Sequence, residues 1–121
     1  MALTKANTVI ENDVTLTAAA ADDVSATQTL TGNYSTLIRV RLTNGATGPT
    51  IAAQCKVQIA EADTAALFMT LATLVGGVTN SGVYEWCVQI PDSAEYLRLV
   101  GGSNTGQNVT YRAVQEQITA L

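Results

Sequence analysis

Thr36-Leu-Ile-Arg-Val-Arg-Leu-Thr43, Asn44-Gly-Ala-Thr-Gly-Pro49 and Thr50-Ile-Ala-Ala-Gln-Cys-Lys-Val-Gln-Ile59 run consecutively through the first half of the chain. In the first run Ile38, Val40 and Leu42 alternate with Arg39, Arg41 and Thr43. In the last, Ile51, Ala53, Cys55, Val57 and Ile59 alternate with Ala52, Gln54, Lys56 and Gln58. Successive side chains of a strand point to opposite faces, so each run offers one face to a core and one to water. The link holds Asn44-Gly45, Gly48 and Pro49, residues that supply a positive φ or a fixed turn φ. The stretch predicts two strands, paired antiparallel through a long, turn-rich connection. All-β is the class that follows.

Outward from this stretch the pattern continues. Residues 24–31 alternate weakly, are rich in β-branched Thr, and end at Gly32-Asn33, a turn signal. Residues 65–75 fit two readings: Phe68, Leu71, Ala72 and Val75 would share a helical face, while Leu67, Met69 and Leu71 fit strand alternation. A strand, or a short helical turn followed by a strand, suits their β surroundings. Residues 83–90 place Tyr84, Trp86, Val88 and Ile90 on one face, and Pro91 ends the run. Trp86, Val88 and Ile90 are therefore expected to face inward with Val40, Leu42, Val57 and Ile59. Residues 95–100 make another strand, with Leu97 and Leu99 opposite Tyr96 and Arg98. Residues 109–120 make the last, and the apolar phase shifts between Ala113 and Val114, which reads as a β-bulge. Seven to eight strands separated by turn signals predict an antiparallel β-sandwich.

Residues 1–21 stand apart from residues 22–121, which carry the sandwich pattern. Val9, Ile10, Val14 and Leu16 are β-formers, broken by Glu11-Asn12-Asp13 and followed by the alanine run 18–21. Four alanines cannot nucleate a helix. The segment reads as an extended arm or an edge strand. Because an isolated strand leaves its backbone unpaired, it is expected to leave its own sandwich and add to a neighbouring subunit.

The composition excludes several functions. The chain has 121 residues, 47% of them hydrophobic but only 5% aromatic and 13% charged. That length suits one domain. The charged share is about half that of an ordinary soluble domain, which points to a surface covered by other subunits and to a homodimer or homotrimer. With a net charge of −4 and six scattered basic residues, there is no cationic patch for direct nucleic-acid binding. No apolar run is long enough for a membrane-spanning helix, so no membrane partner is expected. The opening Met-Ala-Leu-Thr-Lys-Ala-Asn lacks the apolar core of a signal peptide. Synthesis in a cytoplasm, without export, is expected.

Candidate chemistry is thin. His is absent, which removes the commonest general base and leaves no mixed Cys/His metal site. Cys55 and Cys87 match no metal or redox spacing; both are expected as free thiols, Cys55 as a small buried hydrophobe and Cys87 facing the other way. Asp22-Asp23, Glu61 and Asp63 read as solvated turn acids. The glycines of 76–77 and 101–106 precede strands, not the helix N-terminus a phosphate loop needs. No enzymatic activity, cofactor or metal is expected. Arg39 and Arg41 project from the same strand face. Cross-strand ion pairs with Glu85 or Glu95, or contact with an acidic partner surface, would use them.

Three segments carry a resemblance: Ile38-Arg-Val-Arg-Leu-Thr-Asn-Gly-Ala-Thr-Gly-Pro-Thr50, Tyr96-Leu-Arg-Leu-Val-Gly-Gly-Ser-Asn-Thr-Gly-Gln-Asn-Val109, and the strand around Trp86 ending Ile90-Pro91. Together they resemble the small head-decoration, or cement, proteins of tailed bacteriophages. The resemblance implies a jelly-roll-like sandwich that self-associates on the outside of a phage head, bound to the major capsid protein and found in the virion. On that reading Val9, Ile10, Val14, Leu16, Arg39 and Arg41 are the candidate partner-contact residues. A carbohydrate-binding or adhesion module of a phage tail or baseplate is the alternative, and it would need Trp86 and the tyrosines exposed as sugar platforms.

Overall fold

The computed structural model describes residues 3–120. Among these residues nine strands follow one another: β1 Thr4–Leu16, β2 Asp23–Val24, β3 Gln28–Thr29, β4 Ser35–Asn44, β5 Gln54–Ala60, β6 Met69–Val75, β7 Val83–Ile90, β8 Tyr96–Gly102 and β9 Val109–Ala120. One sheet has the order β1-β9-β4-β7; the other has β2-β8-β5-β6, with β3 also paired to β8. Every pairing is antiparallel. If β2 and β3 count as one interrupted position, this order is that of a jelly roll, two Greek keys folded face to face. The expected antiparallel β-sandwich is the fold observed.

The two alternating runs around Asn44-Gly45 do form strands, but they do not pair with each other. β4 lies between β9 and β7, whereas β5 lies between β8 and β6 in the opposite sheet. Alternation identifies the inward face of a strand without identifying its neighbour. The link 45–53 spans the roughly 10 Å between layers, leaving Ile51 in a lone bridge to Thr105. It is tied to the 76–82 link instead: Gly48 N donates to Asn80 Oδ1 at 2.8 Å, and Asn44 Nδ2 donates to Gly77 O and Thr79 O at 3.0 and 2.9 Å. A side chain at position 48 would run into the Val78 carbonyl, so the close approach of the two links requires glycine there.

The core is aliphatic, as the composition implies. Ile38, Val40, Leu42, Val109, Tyr111 and Ala113 from one sheet meet Cys55, Val57, Leu74, Leu97 and Leu99 from the other. Ile90 is buried with them, while Ile59, Trp86 and Val88 face inward but are only half-buried against the cluster. The 65–75 stretch resolves as a 3-10 turn, Ala65–Leu67, followed by β6. Residues 24–31 yield only the two short pieces β2 and β3.

Two expectations about the sheet margins are corrected. β9 carries no bulge against β4, since its register runs unbroken from Ser35↔Ile118 to Asn44↔Val109. The apparent phase shift arises because a polar residue, Gln115, takes the next buried inward position. The irregularities lie across from it in β1, at Thr4/Lys5, Val9/Glu11 and Glu11/Val14. The N-terminal segment, for its part, does not leave its sandwich. Residues 4–16 are the outermost strand of the first sheet, paired with β9 from Thr4↔Ala120 to Leu16↔Val109. β9 offers a free row of backbone partners, and pairing there satisfies the segment's own N–H and C=O groups.

Asn104 closes one end of the sandwich. It is 2% exposed, and its Nδ2 donates to Leu16 O and Gln107 O, both at 2.9 Å. Asn104→Ala would leave both carbonyls without this donor, and the expected cost is about 2–3 kcal/mol in urea unfolding. A change below about 0.5 kcal/mol would mean the loop re-forms without it.

Candidate functional site

Among the described residues, no element covers the outer face of the first sheet. Pleating places Lys5, Asn7 and Val9 of β1, then Arg112, Val114 and Glu116 of β9, on that face. Leu37, Arg39 and Arg41 of β4 and Glu85, Cys87 and Gln89 of β7 complete it. Register aligns these residues in rows across four strands. Val9, Val114, Arg39 and Cys87 form one row; Asn7, Glu116, Leu37 and Gln89 form another. In a third, Arg112, Arg41 and Glu85 stand side by side, with Asp13 of β1 reaching the two arginines.

Ion pairs fix the charged side chains. Arg39 Nε meets Glu116 Oε1 at 2.7 Å, and Arg41 Nη2 meets Asp13 Oδ1 at 3.5 Å. Arg112 Nη1 approaches Asp13 Oδ2 at 3.9 Å and donates to Asn12 Oδ1 at 2.7 Å. The expected partners Glu85 and Glu95 are therefore wrong: Glu85 faces Arg41 in register without pairing to it, and Glu95 lies just ahead of β8, in the other sheet. Exposed pairs of this kind add little stability. Their effect is to hold charges at fixed positions around a hollow of about 260 Å³ lined by Arg39, Arg41, Glu85, Cys87, Arg112 and Val114.

The six candidate contact residues separate into two groups. Val9, Arg39 and Arg41 are exposed on this face, Val9 and Arg39 in one row. Leu16 is 3% exposed inside the core, and Ile10 and Val14 are half-buried against it, so these three hold β1 to its own sandwich. Sequence reasoning missed Arg112 and Glu116, although their alternation with Val114 was visible.

A second polar cluster lies between the sheets, beside the outer strands β1 and β2. Glu11 is 8% exposed. Burial, and then the neighbouring Asp23 carboxyl, push its pKa up to about 7. Asp23 Oδ2 is buried with no hydrogen-bond partner, and a protonated Glu11 is the neighbour able to supply one. Deeper in, Cys55 Sγ and Tyr111 Oη lie 3.3 Å apart. Burial raises the Cys55 thiol to about 11 and pushes the Tyr111 phenol well above its ordinary range. Both stay neutral and act as packing groups.

A third feature is apolar. Met69 is 73% exposed, and with Ile59, Leu67, Leu71 and Ala94 it lines a hollow of about 580 Å³ at one end of the second sheet. No group of three His, Cys, Asp or Glu side chains converges to hold a metal among the described residues.

No family model and no curated protein matches the chain. Several solved structures do. The K3 cleaved adhesin domain of Lys-gingipain from Porphyromonas gingivalis matches with a TM-score of 0.57 and 13% identity, over 78% of this chain and 62% of that one. The Bacillus endospore appendages, described as a family of disulfide-linked pili, match with a TM-score of 0.52 and 11% identity, over 98% and 89%. VP2 of the infectious bursal disease virus subviral particle matches with a TM-score of 0.54 and 12% identity, over 97% and 33%. This chain thus spans about three-fifths of the adhesin domain and a third of the viral protein. At such identities the likeness is one of fold, a β-sandwich.

Proposed function

We propose that this chain is a virion structural protein, a decoration or cement protein that binds the outside of a tailed-phage head through the open face of its first sheet. The observation that carries the proposal is that face itself: four strands wide, uncovered among the described residues, and patterned with ion-paired arginines beside Val9, Val114 and Leu37. Such a surface suits adhesion to another protein, where fixed charges select the partner and apolar area supplies the attraction. Many weak contacts repeated over a lattice add avidity. The β-sandwich fold, similar to part of VP2 of a viral particle, is compatible with this role. The sequence resemblance points the same way. No catalytic step is part of the proposal.

Binding to purified phage heads that lack this protein tests it. The wild-type chain is expected to co-sediment with them, and Arg39→Glu with Arg41→Glu to weaken binding about tenfold or more at unchanged fold. Failure of the wild-type chain to bind heads would overturn the proposal. Trp86, which the sugar-binding alternative needs as an exposed platform, faces inward and is half-buried against the core, whereas Tyr34 is exposed.

A further inference from the structure

The two sheets have four lateral margins, and three of them are guarded. β1 is broken by three register shifts, carries Lys5, Glu11 and Asp13, and has Asp13 at φ 50°. The opposite sheet ends on one side in the two-residue pieces β2 and β3, and on the other in β6, where a register shift at Val57/Gln58 leaves Leu71 without a partner. Bulges, charges and short strands are the devices that keep exposed edges from pairing. β7 has neither a bulge nor a short length, and its one charge is Glu85. It runs eight residues, pairs with β4 from Thr36↔Ile90 to Thr43↔Val83 without a shift, and contains no Lys or Pro. Gln89, which could have capped the edge, folds its amide back to Ser35 Oγ and Thr36 O.

The free groups can be identified. Asn44 N donates to Gly82 O at 2.8 Å, so in this register the even-numbered residues of β7 direct their backbone groups to β4. The N–H and C=O groups of Val83, Glu85, Cys87 and Gln89 then point away from the sheet. We infer that this edge pairs with the same edge of a second copy, antiparallel about a two-fold axis, joining two four-stranded sheets into one.

Charge selects the register. A two-fold normal to the sheet keeps outer side chains opposite outer ones, so each odd-numbered residue faces an odd-numbered one. Centring on Glu85 would set two carboxylates face to face, which is unfavourable. Centring on Trp86 sets Glu85 opposite the partner's Cys87 and Val83 opposite the partner's Gln89. The partner's Arg39, next in the row, then lies about 10 Å from Glu85 between backbones. Glu85, which has no ion pair among the described residues, then stands between its own Arg41 and the partner's Arg39 across a small Cys side chain. On the inner face the half-buried Trp86 meets its own copy, and Tyr84 meets the partner's Val88. About eight interchain backbone hydrogen bonds form, two for each facing odd-numbered pair.

This goes beyond the proposed attachment to a head and does not depend on it, so its failure leaves head binding to be judged separately. Sedimentation velocity at high micromolar concentration is expected to show a dimer. Cys87→Pro removes an outward N–H without touching the β4 ladder, and Glu85→Lys sets like charges beside Arg39 and Arg41. Each is expected to weaken the dimer about tenfold or more, with Glu85→Lys keeping the wild-type fold by circular dichroism. Glu85→Cys places new thiols opposite the partner's native Cys87, and mild oxidation is expected to crosslink it far faster than wild type. A monomeric wild-type protein, a dimer indifferent to Glu85→Lys, or faster crosslinking of wild type than of Glu85→Cys would overturn the inference.

Discussion

Tyr111→Ala is expected to destabilise the protein by about 3–5 kcal/mol, the range for deleting a large buried ring. Tyr111 is fully buried on β9, the second strand in from the margin of the first sheet. Its ring packs beneath Gly101 of the facing sheet, where a Cβ would already be too close. In a core with so few aromatics, nothing nearby is large enough to fill the space. Tyr111→Phe keeps the ring and removes only the Oη contact with Cys55, so its cost is expected near 1 kcal/mol or less. Urea unfolding of the pair separates volume from polarity. A loss below about 1 kcal/mol for the alanine variant would mean the two sheets close over the gap.

Stability is also expected to depend on pH through Glu11, in an unusual direction. Its carboxyl titrates near 7 in the fold against an ordinary value of 4.5. The folded state therefore favours the protonated form. The contribution is complete below pH 4.5 and is lost as pH rises toward and through 7. Melting temperature is expected to fall by about 5 °C between pH 5 and pH 8 on this account. Glu11→Gln keeps a donor for Asp23 and is expected to flatten that decline, making the variant the more stable protein at pH 8. Parallel melting curves for wild type and variant across this range would refute the assignment.

Much of the fold was legible because strand alternation reports faces directly. Ile38, Val40, Leu42, Val57, Leu97 and Leu99 all lie where alternation places them. Pairing was not legible in the same way. The Asn44-Gly45 link looks like a hairpin, and only contacts far along the chain, such as Gly48 with Asn80, reveal that it crosses between layers. Buried polar residues misled the reading too. Gln115 and Glu11 take inward positions that hydrophobic patterning assigns to apolar side chains, so β9 seemed to change phase and β1 seemed too broken to belong. Of the open face, Arg39 and Arg41 were evident from one strand. Their true partners Glu116 and Asp13 come from the two ends of the sequence, and local spacing carries no information about them.

The strand order has a consequence for how the molecule comes into being. β1 is synthesised first and β9 last among the strands, yet β9 sits between β1 and β4 and is the partner of both. On the ribosome β1 therefore waits, unpaired, through the making of everything else. Closing so long a loop is entropically costly and slow. The last strand acts as a keystone. A nascent chain stopped before Val109 has two unjoined pieces of the first sheet and a Greek key with its inner face open, a form prone to sticking to its neighbours on a crowded polysome.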